Sequence, residues 1–72
     1  MATKQLNIKE ISVSATDESN GYLDVHPTEI SRSMVFRDGA NETNFTENSP
    51  TDGKISLNTL NEGEKVLIWY LF

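Results

Sequence analysis

The chain runs out through Glu64-Lys65-Val66-Leu67-Ile68-Trp69-Tyr70-Leu71-Phe72, EKVLIWYLF, in which seven apolar or aromatic residues follow a charged pair. Read with a period of two, Val66, Ile68, Tyr70 and Phe72 share one face, and Leu67, Trp69 and Leu71 share the other. A strand apolar on both faces is central in a two-layer structure, or its second face is covered by another chain. Seven residues fall far short of the ~20 that a helix needs to span a bilayer, so the run predicts no membrane anchor.

The rest of the chain is punctuated as an all-β domain. Leu6 and Ile8 share one parity, while Ile11, Val13 and Ala15 share the other, which predicts a half-buried strand with a bulge or break at Lys9-Glu10. Thr16 to Gly21, TDESNG, is rich in turn formers and is expected to be a loop. Tyr22, Leu23 and Val25 form a short strand that His26-Pro27 ends, because proline cannot donate to a ladder. Ile30, Met34 and Phe36 fit a strand, although Ile30 and Met34 also fit helical spacing, and Asp38-Gly39 closes the segment as a turn. Residues 40–53, ANETNFTENSPTDG, contain no aliphatic residue beyond Ala40, and Phe45 is their one large apolar side chain. They are expected to be a single long polar loop, a kind of segment that is often functional. Ile55 and Leu57 start a further strand before the turn at Asn61-Glu62-Gly63-Glu64. Five to six short strands with regular turns predict one domain, 1–72, built as a small β-sandwich or a partly open barrel.

Size then bears on how that sheet is stabilised. A chain of 72 residues buries only about 60% of the surface its unfolded form exposes. Cysteine is absent and His26 is the one histidine, so disulfides, thiolate zinc and multi-histidine sites are excluded within one chain. Association with copies of itself or with a larger body is the remaining way to bury more. The net charge of −5, from 11 acidic and 6 basic residues, argues against nucleic acid and against anionic membrane surfaces as partners. The opening MATKQLNIKE lacks an apolar stretch of the kind that begins a signal peptide, so synthesis in the cytoplasm without classical export is expected.

Candidate chemistry is sparse. Asp24 and His26 share a parity, but no nucleophile or paired carboxylate accompanies them, so no catalytic residue and no enzyme activity is expected. Asp17 to Asp24 places glycine at position 5 and Thr28 at position 12 of a calcium-loop register, against the glycine at 6 and glutamate at 12 that such a loop needs. No metal or cofactor is expected. Tyr70 and Phe72 share a face and offer a possible aromatic platform for carbohydrate or peptide, which is the alternative functional reading.

Two resemblances bear on this. Leu60, Gly63, Val66, Ile68 and Tyr70 lie in a 16-residue tail that resembles the late hairpin of fibronectin type III and related immunoglobulin-like sandwiches, which implies a sandwich and no particular function. A short, acidic, cysteine-free β chain with a polar loop also resembles in type the small decoration or cement proteins of tailed-phage capsids. That resemblance implies a structural protein, oligomeric and located on the virion, whose partners are its own copies and a capsid shell. The anchor expected for such contacts is Val66, Leu67, Ile68, Trp69, Tyr70, Leu71 and Phe72. Leu6, Ile8, Ile11 and Val13 are expected as a second pairing strand, with Phe45, Met34 and Phe36 as further contacts. The expected mode is apolar burial combined with strand addition at an edge.

Overall fold

A computed structural model describes residues 3–72, so the first two residues of the expected domain lie outside the described residues. The order is β1 (Leu6–Ser12), α1 (Ala15–Asn20), β2 (Tyr22–Asp24), β3 (Ser31–Arg37), β4 (Ala40–Glu42), β5 (Phe45–Glu47), β6 (Lys54–Leu57) and β7 (Lys65–Leu71). The strands form two antiparallel sheets, one ordered β1-β7-β3-β4 and the other β2-β6-β5. One apolar cluster joins them. Val35, Val66, Ile68 and Tyr70 come from the four-stranded sheet, and Leu23, Ile55 and Leu57 from the three-stranded one. Val13, Val25, Ile30 and Leu60 close its ends from the connections. The molecule is the small all-β sandwich that the sequence predicts, with seven strands among the described residues rather than about five to six.

The terminal run is the central strand of the larger sheet. β1 pairs with one side of β7 from Leu6↔Leu71 to Ser12↔Lys65, and β3 pairs with the other side. Beyond the strand, Phe72 exchanges two backbone hydrogen bonds with Gln5, at 3.1 and 3.3 Å. Both edges of β7 are therefore occupied.

Several local readings are corrected. β1 holds no bulge at Lys9-Glu10, because its register with β7 is unbroken. The change of parity marks instead a strand with apolar residues on both faces. The irregularity lies in β3, between Ser31 and Met34, where Arg32 takes a φ of 51°. Residues 15–20 form a helix. Ser14 accepts from the Asp17 amide while the Asp17 carboxylate accepts from the Ser14 amide, a reciprocal cap at 3.1 Å each, and Gly21 ends the helix at φ 80°.

The polar stretch 40–53 is not one loop. Asp38 and Gly39, at φ 55° and 79°, make the tight turn that folds β4 back on β3. β5 then pairs with β6. Nor do β6 and β7 make a hairpin, since they belong to different sheets and Leu60 and Gly63 lie in the connection between them.

Candidate functional site

In an antiparallel ladder directly opposed residues project to the same face. Val66, Ile68 and Tyr70 of β7 project inward and are 0%, 0% and 6% exposed. Leu67, Trp69 and Leu71 project to the outer face, which no element of the second sheet covers. The register then assembles this face row by row. Leu71 lies beside Leu6. Trp69 lies between Ile8 of β1 and Met34 of β3. Leu67 lies between Glu10 and Phe36, with Asn41 of β4 beyond. The Phe36 and Trp69 rings meet at a tilt of 58° with centroids 6.0 Å apart. Leu6 and Ile8 are each 57% exposed and Met34 is 45% exposed, while Phe36, Leu67, Trp69 and Leu71 are half-buried among them.

One end of this face is rimmed by charge. Glu10, Asp38 and Lys65 surround a shallow depression of about 310 Å³ whose floor is Phe36 and Leu67, beside Gly39. An apolar centre with a polar rim is the anatomy of a protein contact surface.

The expected anchor residues thus divide. Val13, Val66, Ile68 and Tyr70 are core, and Ile11 and Phe45 pack partly buried against that core, so these six form the domain's interior rather than its contact surface. Leu6, Ile8, Leu67, Trp69 and Leu71 stand together on the outer face, joined by Met34 and Phe36. Phe72 lies elsewhere: it is 44% exposed, and its ring meets His26 at a tilt of 35° with centroids 4.0 Å apart and stacks on Tyr70 at 6.0 Å. Because Tyr70 is buried, Tyr70 and Phe72 make no open aromatic platform.

The polar candidates have other engagements. His26 Nδ1 accepts from the Thr28 amide at 3.2 Å, and the Asp24 carboxylate pairs with the Lys54 ammonium at 3.0 Å. The Asp17 carboxylate caps α1, and Glu18 accepts from the Glu62 amide at 2.8 Å. Among the described residues no helix is long and apolar enough to cross a membrane.

Compared with known proteins, the chain matches no family model, and no curated protein or solved structure shows significant similarity to it.

Proposed function

We propose that the chain is a structural interaction protein whose outer sheet face is covered by protein in its working, multi-copy form. The observation that carries this reading is the contiguous apolar face Leu6, Ile8, Met34, Phe36, Leu67, Trp69 and Leu71 on a chain of 72 residues. Three strands about 4.8 Å apart and five residues at about 3.4 Å each give a footprint of roughly 240 Å² in projection, which side-chain relief enlarges. Its size is ordinary for a small domain; what supports an interaction site is that the apolar side chains form one patch with a charged rim rather than being scattered singly.

The same magnitude says what kind of partner fits. A standard interface buries about 800 Å² on each side, so one such face supports only a weak contact. Weak contacts become stable when many are made at once on a repeated surface. A subunit among its own copies, or a decoration protein on a viral shell, meets that condition, and the acidic, cysteine-free, β-rich character of the chain supports the narrower capsid form of the proposal. The carbohydrate or peptide reading has less support, because the aromatic rings on the outer face, Phe36 and Trp69, are tilted by 58° and present no common plane.

Trp69 is the one tryptophan and lies in the middle of the face, so its emission tests the proposal. Emission should be blue and resistant to quenching at high protein concentration, shifting red on dilution as the face is uncovered. An emission and quenching constant independent of concentration would contradict self-association through this face.

A further inference from the structure

The larger sheet has two edges of unequal character. β4, at one edge, is three residues long, whereas β1, at the other, is seven and pairs only with β7. Gln5 and Phe72 exchange both backbone bonds, and Val13 donates to Glu64 at 2.8 Å in the same register. Odd residues of β1 therefore point their backbone groups at β7, and Leu6, Ile8, Glu10 and Ser12 point theirs away from it. Among the described residues no other strand pairs with that edge. A long open edge is a template for another strand unless something blocks it.

We propose that the strand it takes is β1 of a second copy, antiparallel, on a two-fold axis through Asn7. The sequence of the edge selects both the partner and the register. Centred on Asn7, the pairing sets Leu6 opposite Ile8 of the other copy, twice, and Lys4 opposite Glu10, twice. The first pairs extend the apolar face; the second are opposite charges placed directly across a ladder, which favours pairing. Lys9, whose ammonium turns inward to the Val25 carbonyl at 3.0 Å, then meets Gln5. Centred on Ile8, the same edge sets Glu10 against Leu6; centred on Lys9, it sets Lys9 against Lys9. Like charges directly opposed disfavour the latter. Lys4 now donates to the exposed Ser31 hydroxyl at 3.0 Å, a neutral contact that a carboxylate replaces at little cost.

The proposal extends the interaction-subunit reading and rests on it. Because opposed side chains in an antiparallel pair share a face, the two outer faces join on one side of a continuous sheet and the apolar footprint doubles. This brings a patch of roughly 240 Å² toward the range of specific interfaces.

The test is sedimentation velocity over a dilution series of the full chain and its charge variants. Wild type is expected to dimerise. Lys4→Glu should raise the dissociation constant by about tenfold, since two opposite-charge pairs become two like-charge pairs, and Lys4→Glu/Glu10→Lys should restore it. Both positions are exposed, so neither variant disturbs the core. Asn7→Cys supplies the chain's one cysteine, and opposed non-hydrogen-bonded residues lie about 4.5 Å apart at Cα, within disulfide reach. Mild oxidation should give a covalent dimer of Asn7→Cys and none of Asp52→Cys. A wild type that associates while ignoring both charge variants, with Asn7→Cys left uncrosslinked, overturns the edge pairing and leaves the outer-face reading standing. A wild type that stays monomeric throughout overturns the edge pairing and self-association through the outer face, and leaves only docking on a larger shell.

Discussion

Arg37 and Glu64 form a two-pronged ion pair across the end of the sandwich, with Nε donating to one carboxylate oxygen and Nη2 to the other, each at 2.9 Å. The same guanidinium donates to the Asn58 and Thr59 carbonyls at 2.9 and 2.6 Å. One side chain of β3 thereby fixes the connection that carries the chain from β6 in one sheet to β7 in the other. The side chains are 17% and 20% exposed, which is sheltered enough for a forked pair to contribute.

This pair should make stability depend on acid. The hydrogen bond from Arg37 holds the Glu64 carboxyl below its ordinary value, and the Asn61 amide and the Arg37 charge add to that. A carboxyl lowered on folding contributes stability that is complete above its unfolded pKa and lost as pH falls through the folded one. Glu64→Gln should therefore cost about 1–2 kcal/mol at neutral pH. The gap between wild type and variant should narrow as pH falls below about 4. Urea unfolding at neutral and acid pH measures the gap, and one that stays constant or widens contradicts the assignment.

Gly53 should tolerate no side chain. Its φ is 81°, and an added Cβ would lie 1.7 Å from the His26 carbonyl oxygen. That oxygen belongs to backbone held by Gly53 itself, whose carbonyl accepts from the Val25 and His26 amides at 2.9 Å. Gly53→Ala is expected to destabilise by more than about 3 kcal/mol, through steric displacement added to left-handed strain. Gly39→Ala, at φ 79° with open space beside it, should cost about 1–2 kcal/mol from backbone strain alone. Equal losses in thermal unfolding would count against the steric part of this account.

Asn48 acts as an internal splint. Its side-chain oxygen accepts from the Ile30 and Gly53 amides, both at 2.9 Å, and its Nδ2 donates to the Ile30 carbonyl at 2.7 Å. It also holds a φ of 56°, which asparagine tolerates better than most residues. Asn48→Ala leaves these part-buried backbone groups without partners and should cost about 2–3 kcal/mol. Asn48→Asp keeps the acceptor but turns a negative oxygen toward the Ile30 carbonyl, so it should cost at least as much. A denaturant midpoint unchanged by either substitution would refute the splint.

The two faces of the larger sheet should answer mutation differently. Ile68→Ala empties a fully buried site and should cost about 2–4 kcal/mol of stability. Ile8→Lys, one strand away on the outer face and 57% exposed in the wild type, should change stability by less than about 0.5 kcal/mol while weakening association. If Ile8→Lys unfolds the chain, the outer face is part of the domain's own core.

What the sequence discloses, and what it withholds, follows from where the physical signal lies. The alternation in Val66 to Phe72 is strong enough to predict a strand with two apolar faces. Which face turns inward depends on the second sheet, whose strands are three and four residues long, and is not written in β7 itself. Leu6, Ile8 and Ile11 look like a broken pattern because β1, too, has an apolar residue on each face, an arrangement visible only once its partner is known. Helix α1 buries none of its residues and so has no apolar stripe; the spacing of Ser14 and Asp17 is the signal that would have found it. β4 and β5 are strands because β3 and β6 pair with them, and three residues, Ala40–Glu42 or Phe45–Glu47, are too few to carry an alternation of their own. The contact face combines β1, β7 and β3, so Met34 and Phe36 join Trp69 only through the register.

The central claim is that the outer face is an interface, and solution mass tests it most directly. Sedimentation velocity should be run from micromolar to millimolar concentration on wild type and on Ile8→Lys/Met34→Lys, with circular dichroism confirming the fold of both. The account predicts a mass that rises with concentration for wild type and a smaller rise, or none, for the variant. A wild type that remains at the mass of a single chain at every concentration, indistinguishable from the variant, would contradict an interface between copies through this face.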